Sequence, residues 1–436
     1  MMVVYYFAYH VCMLFLLPIF LFKMWKHKKY RSGLKQRFGI LPADLLQSLK
    51  NQRVLWIHAV SVGEVQAAVP LIKRLAEDNP HYKVLVTTTT HTGQQVAHER
   101  LSDLPVEICY FPLDFYWVVR KVLKAIDPKV VLIFETELWP AFLQGCFDRK
   151  IPVLMVNGRI SERSFRGYQI ISPFIRSLLT RLSFIAVQTK EDERRIRTLG
   201  APVERIAILG NMKFDLVSAE QGVTKSIAQS LASLFEKEIL IAGSTHRGEE
   251  EILLNSYKAL RLLHPSLILL LAPRHLERIV EVQRVVRQHG FSPVLRSGLP
   301  TSLKDDDVLI LDTMGELAQL YQLATVVFIG KSLVGGGGQN PLEPAVYGKP
   351  VVIGSSVENF ASICNELLRD GGLKQISSSQ ELTNEIDQLL RSPDLRNKIG
   401  KRALETIRRN KGATDRTLSL VSGYLLPNTS DSIISA

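Results

Sequence analysis

Val54-Leu-Trp-Ile-His-Ala-Val-Ser-Val-Gly-Glu-Val65 reads as a buried strand running straight into a helix. The run Val54–His58 shows no polar alternation, as expected of a strand whose sheet is covered on both faces. Gly63 supplies a turn, Glu64 starts the helix, and Gln66–Asp78 continues it as an amphipathic segment. Strand, glycine and helix in that order are the unit of a doubly wound α/β domain. Such a turn ordinarily offers bare N–H groups to a phosphate. Here it carries its own anion. A Glu64 carboxylate would compete with a phosphate, and the positive end of the helix dipole would hold it ionised. Two readings stand open: a general base at the mouth of the sheet, or a first-turn acid that only favours the helix.

The pattern repeats outward from this unit. Strands are predicted at Lys83–Thr88, Glu107–Phe111, Val130–Phe134, Val153–Asn157 and Phe184–Val187, with helical segments such as Thr92–Arg100 and Tyr116–Ala125 between them. The alternation lapses around Gly210–Ser230. It resumes with Ile239–Ala242, Leu267–Ala272, Val294–Leu295, Val308–Leu311, Val326–Ile329 and Val351–Ile353. The expected organisation is two α/β Rossmann-like domains, 41–210 and 237–426, joined by a linker at 211–236 and followed by a disordered tail at 427–436. The 436-residue length suits two domains of ordinary size.

The N-terminus predicts a membrane anchor. Residues 1–22 contain no Lys, Arg, Asp or Glu, and about 20 apolar residues suffice for a helix to cross a bilayer core. The positive charge follows the run rather than preceding it, the reverse of a cleaved signal peptide. Tyr5, Tyr6, Tyr9 and Trp25 are placed to lie at the membrane interfaces. Lys23, Lys26, Lys28, Lys29, Arg31, Lys35 and Arg37 follow with no acid before Asp44, and supply seven of the twelve net positive charges. This juxtamembrane segment, 23–40, predicts a single-pass protein with its domains on the cytoplasmic side, held against anionic lipid. A basic run directly after an apolar span points to membrane rather than nucleic acid. Four scattered cysteines, Cys12, Cys109, Cys146 and Cys364, form no CxxC and no Cys/His cluster. They argue against a zinc site or disulfide framework and suit a reducing compartment.

Ligands of open α/β sheets bind beyond the carboxyl ends of the strands, so chemistry is sought there. Phe134-Glu-Thr-Glu-Leu-Trp-Pro140 sets two carboxylates past an apolar strand. Glu135, nearest the strand end, is the candidate; the alternative is structural, with Glu135 capping a loop and Glu137 exposed. Arg159, after the next strand, is either an anion fork or a structural ion-pair partner. Lys213, in Gly210-Asn-Met-Lys-Phe-Asp215, is a candidate for a phosphate or a sugar acid. Ser244, Thr245 and His246 follow another strand, where Ser244 and Thr245 are placed to cap a helix whose N-terminus takes an anion. Arg274 is the best phosphate ligand of the second half, and Gly315 and Glu316 stand at a further helix start. Lys331-Ser-Leu-Val-Gly-Gly-Gly-Gly-Gln-Asn-Pro-Leu-Glu343 carries four glycines that permit close backbone approach. Glu343 is then placed to take both ribose hydroxyls of a nucleotide. Kinase-type P-loops and a GxGxxG turn are absent at useful positions, which counts against ATP hydrolysis and NAD.

Taken together in one order, HAVSVGEV, FETELWP, NGRIS, GNMKFD, GSTHRGEE, APRH, DTMGEL and SLVGGGGQNPLEPA resemble the Kdo transferases over about residues 23–425. These are membrane-anchored glycosyltransferases with two facing Rossmann-like domains, the GT-B arrangement. The resemblance implies transfer of Kdo, an eight-carbon acidic sugar, from CMP-Kdo to a lipid A precursor (lipid IVA) at the cytoplasmic face of the bacterial inner membrane. It implies Glu64 as the base, with Glu135 and Lys213 stabilising the transition state. It places CMP on Pro273, Arg274, Met314, Gly315, Glu316, Asn340, Pro341, Leu342 and Glu343. The donor carries one phosphate, so cations and helix N-termini suffice for the leaving group, and no metal or other cofactor is expected. Lys331 and Gln339 depart from the family pattern, which commonly has Gly and His there. The competing expectations are another GT-B nucleotide-sugar transferase, a nucleotide-sugar epimerase of the same fold, and a non-catalytic nucleotide-binding membrane scaffold.

Overall fold

Continuous Val, Ile and Leu runs build two seven-stranded sheets, each wholly parallel. The computed structural model describes residues 33–218, 237–298 and 303–425, together with Tyr5, Tyr6, Tyr9, Val11 and Phe15. Most of the predicted anchor and the basic run, residues 219–236 of the linker, and the tail lie outside the described residues. Among those described, no helix is long and apolar enough to cross a membrane.

The first unit runs to Leu216 and takes the chain back from Lys411. Its strands are β1 (Arg53–His58), β2 (Tyr82–Thr88), β3 (Val106–Tyr110), β4 (Pro128–Phe134), β5 (Val153–Gly158), β6 (Phe184–Val187) and β7 (Ile206–Ile208). They lie in the order β3-β2-β1-β4-β5-β6-β7. The order reverses between β1 and β4, the point where open α/β sheets bind ligands. The helix Val62–Asp78 after β1 buries Val65, Ala68, Leu71, Ile72 and Leu75 against one sheet face. The opposite face is closed by an aromatic group in which Trp56 meets Phe111 and Phe142 edge to face and those two rings pack tilted on each other.

The helix Ala413–Leu425, expected in the second domain, belongs to this first unit. Asp215 accepts hydrogen bonds from Gly412 N and Thr414 N, both 2.7 Å, which fix the start of the helix. Leu418, Val421 and Leu425 then join the core under β1 and β4. Hydrophobic burial over non-local distance sets this boundary, and no local composition change marks it.

The N-terminal tyrosines Tyr5, Tyr6 and Tyr9 have partners in the first unit. Tyr5 stacks on Phe174, Tyr6 meets Tyr116, and Tyr9 meets Phe115 edge on. The Tyr5 hydroxyl donates to Asp114 at 2.7 Å. Asp114, fully buried, also accepts from Ala141 N and Phe142 N at 2.9 and 2.8 Å, and so caps the helix Pro140–Asp148. Asp114→Ala would strand two buried helix N–H groups. It is expected to cost about 1–2 kcal/mol, to be read as a lowered midpoint in urea with an unchanged m-value.

The second unit, Val217–Asn410, holds β8 (Ile239–Thr245), β9 (Ile268–Pro273), β10 (Ser292–Leu295), β11 (Asp307–Ile310), β12 (Val326–Ile329), β13 (Val351–Ile353) and β14 (Lys374–Gln375). Their order is β10-β11-β9-β8-β12-β13-β14, with the reversal between β8 and β12. Cys109, Cys146 and Cys364 are buried and free.

Candidate active site

The two reversal points decide which loops become neighbours. In the first unit they are the loops after β1 and β4, which carry Glu64 and Glu135. In the second they are the loops after β8 and β12, which carry Ser244–His246 and Lys331.

Ser61 is the N-cap of the helix Val62–Asp78, so Gly63 lies in its first turn and Glu64 at its third position. The Glu64 carboxylate turns back on this end. One oxygen accepts from Val60 N at 2.9 Å and the other from Ser61 Oγ at 2.8 Å, a variant of the capping box. Its residue is 7 % exposed. The dipole argument predicted a carboxylate held ionised; the structure reverses it. Burial and the neighbouring Glu135 charge push Glu64 up to about 7, against the opposing pull of the two hydrogen bonds and Lys213. Burial outweighs a helix end here because a charge out of water loses more than a surface dipole returns.

Glu135 adopts φ +54°, a strained conformation for a non-glycine residue. It faces Lys213 across 3.7 Å. The Lys213 ammonium stands 4.0 Å from where a Cβ on Gly63 would be, and its charge acts on Glu64. Asn157, itself at φ +54°, holds this lysine's turn: its Oδ1 accepts from Met212 N at 3.1 Å. Glu137 is half-buried rather than exposed. Burial, Glu64 and Glu135 push it up to about 7. Three carboxylates and one lysine thus share the strand-end region of one sheet; the sequence shows the third acid past the strand but does not single it out as a candidate. Arg159 joins through its carbonyl, which accepts from Thr136 Oγ1, while its guanidinium lies in the field of Asp192. His58 beneath them is buried, stacked on Phe111 at 3.8 Å and driven down to about 3, so it stays neutral and serves packing.

In the second unit the expected cap is corrected. The helix starts at Glu249 with Gly248 as N-cap, and Glu249, Glu250 and Glu251 fill its first turn. Three acids in the first turn disfavour a further anion at this helix end. Buried Thr245 donates to Glu250 at 2.8 Å and is not available to a ligand. Ser244 holds φ +56°, and its carbonyl lies 3.2 Å from His246 Nδ1. Glu249, which the sequence does not single out either, is fully buried. It accepts from His246 N (2.9 Å), Lys331 N (2.7 Å), Ser332 N (2.9 Å) and Leu333 N (3.1 Å), and so ties the β8 loop to the β12 loop.

The glycines that follow are left-handed, with φ from +71° at Gly338 to +113° at Gly336, a run only glycine sustains. Asn340 Oδ1 accepts from Leu342 N and its Nδ2 donates to Glu343 at 3.2 Å. Burial raises the Glu343 carboxyl, and Arg274 opposes that rise. Pro341 and Leu342 are buried, and Pro273 ends β9. Met314 is 76 % exposed beside Gly315 at φ +83°. The Glu316 carboxylate is engaged by Arg296 at 3.1 Å and Thr313 Oγ1 at 2.8 Å. Arg274, Glu343 and the glycine run form a polar margin along the strand ends of this unit. Geometry of this kind suits a nucleotide: cationic and backbone donors for phosphate, and a carboxylate for hydroxyls.

Comparison with known proteins adds the following. Residues 32–216 match the family model of 3-deoxy-D-manno-octulosonic-acid transferase (kdotransferase), and residues 303–406 match glycosyl transferases group 1. The chain is 36 % identical over 406 residues to the 3-deoxy-D-manno-octulosonic acid transferase of Haemophilus influenzae, covering 92 % of this chain and 94 % of that one. It is 28 % identical to the enzyme of the same name from Chlamydophila psittaci, over 94 % and 93 % of the two chains. A UDP-GlcNAc 2-epimerase structure from Neisseria meningitidis superposes with a TM-score of 0.58 at 16 % identity, over 86 % of this chain and all of that one. At that identity the last likeness speaks for the fold alone.

Proposed function

The chain belongs to the 3-deoxy-D-manno-octulosonic acid transferase family of glycosyltransferases, and from that premise we propose that it moves Kdo from CMP-Kdo to a lipid A precursor with inversion. The observation that carries the proposal is Glu64, a buried carboxylate with its pKa near 7 at the β1 turn, beside the Glu135–Lys213 pair. A base poised near neutrality is what proton removal from a hydroxyl requires.

In this reading Glu64 takes the proton of the acceptor hydroxyl as its oxygen bonds to the anomeric carbon of Kdo. The bond from that carbon to the phosphate oxygen breaks, and CMP leaves. Glu135 and Lys213 stabilise opposite charges that develop in the transition state. Arg274 carries the CMP phosphate, and Glu343 takes the ribose hydroxyls. Pro273, Met314, Gly315, the backbone of Glu316, and Asn340–Leu342 line the nucleotide. Thr245, a further candidate outside this set, is spent on Glu250.

The lipid acceptor and an inner-membrane location belong to the same proposal. Their support is the charge-free run 1–22 and the seven cations after it. Trp117 and Ile170, 54 % and 85 % exposed on the first unit, add apolar surface. Incubation with CMP-Kdo and lipid IVA, followed by mass spectrometry, is expected to show products heavier by one or more Kdo units. Transfer is expected to continue in excess EDTA, since side-chain and backbone donors carry the charge. No product, or restoration of activity only by added divalent ion, would overturn the respective part.

A further inference from the structure

Lys331 follows β12 with φ +59°, a conformation that strains a lysine and not a glycine. Both neighbours of this strain are fixed. Its N–H is held by Glu249 at 2.7 Å, and its carbonyl accepts from Gly338 N at 2.8 Å, so the glycine loop leaves from and returns to this residue. The side chain lies across that loop. A Cβ on Gly336 would come within 2.8 Å of Lys331 Cε and 3.0 Å of Cγ. Among the described residues no carboxylate lies within ion-pair distance of its ammonium. Its charge instead reaches His246, which packs edge on against His275 at 5.6 Å, next in sequence to Arg274.

A second observation makes this cation useful. Three consecutive N–H groups, those of residues 331–333, would otherwise form a phosphate cradle. Glu249 already fills it. Those three backbone donors are therefore closed to an anionic ligand, and the positive charge at this point of the loop is the Lys331 side chain. We infer that the Lys331 ammonium is an anion ligand for the donor, binding its phosphate or its sugar carboxylate over the bare glycine loop. This rests on the reading of the second unit as the CMP-Kdo site.

The test compares Lys331→Met, Lys331→Gly and Lys331→Arg with the unaltered protein. Three quantities are read: melting midpoint, Kd for CMP by calorimetry, and KM and kcat with CMP-Kdo. Lys331→Met is expected to keep the midpoint and Lys331→Gly, which relieves the backbone strain, to keep or raise it; in both kcat is kept while KM for CMP-Kdo rises about tenfold, the loss of one charge-assisted contact. Lys331→Arg is expected to restore most of the affinity. A matching rise in Kd for CMP identifies the phosphate as the bound group; an unchanged Kd identifies the sugar carboxylate. An unaltered KM in Lys331→Met overturns the inference and leaves the donor site standing. Failure of the unaltered protein to bind CMP overturns the donor site itself, and this inference with it.

Discussion

Glu64→Gln is expected to keep the fold and the affinity for CMP while transfer falls by roughly two to four orders of magnitude. The amide is isosteric: its oxygen can accept from Val60 N, and its NH2 can donate to Ser61 Oγ, which turns its own proton away, so both contacts that tie the side chain to its helix are kept. A lost cap is therefore not the cause of any loss of activity. What the amide cannot do is hold a proton. The comparison separates an enzyme from a membrane scaffold that only binds nucleotide, because a scaffold has no use for that basicity. A Glu64→Gln protein with an unchanged melting midpoint and full transfer would remove Glu64 as the base.

The pH profile of the unaltered enzyme bears on the same group. With Glu64 near 7, kcat/KM is expected to rise with pH through that region, as the folded carboxyl gives up its proton and becomes a base. A carboxylate of ordinary pKa would give a flat profile there.

Much of this architecture was legible in the chain, and what was missed has a common cause. Strands such as Phe184–Val187, Val326–Ile329 and Val351–Ile353 were read to the residue, because buried parallel strands are continuous apolar runs. The edge strands β7 and β14 were missed; at three and two residues they carry no period to read. The strand-end loops were found, yet the electrostatics inside them were not. Glu249 reads locally as a first-turn acid. Its role is set by N–H groups 82 to 84 residues away. Glu64 was read with a helix dipole, a local effect, and is governed by burial and by Glu135 in the loop after another strand. Sequence order reveals which loops exist; the sheet's strand order decides which of them meet.

That electrostatic coupling gives the last prediction, in which two substitutions act with opposite sign. Lys213 lowers the Glu64 pKa and Glu135 raises it. Lys213→Met removes the cation, leaves the carboxylates facing one another, and is expected to move the acid limb of kcat/KM to higher pH. Glu135→Gln removes a like charge and is expected to move the same limb to lower pH. Both substitutions should also lower the plateau rate, Lys213→Met by about a hundredfold if its charge acts on the transition state. Neither displacement would follow from a general loosening of the fold, which has no reason to shift a titration in two directions. The Lys213 ammonium lies within 3.7 Å of Glu135, so the two effects are coupled. A Lys213→Met/Glu135→Gln double variant is expected to bring the limb back toward its original position while activity stays low. Limbs that move together, or not at all, would show that the base titrating near 7 is not Glu64.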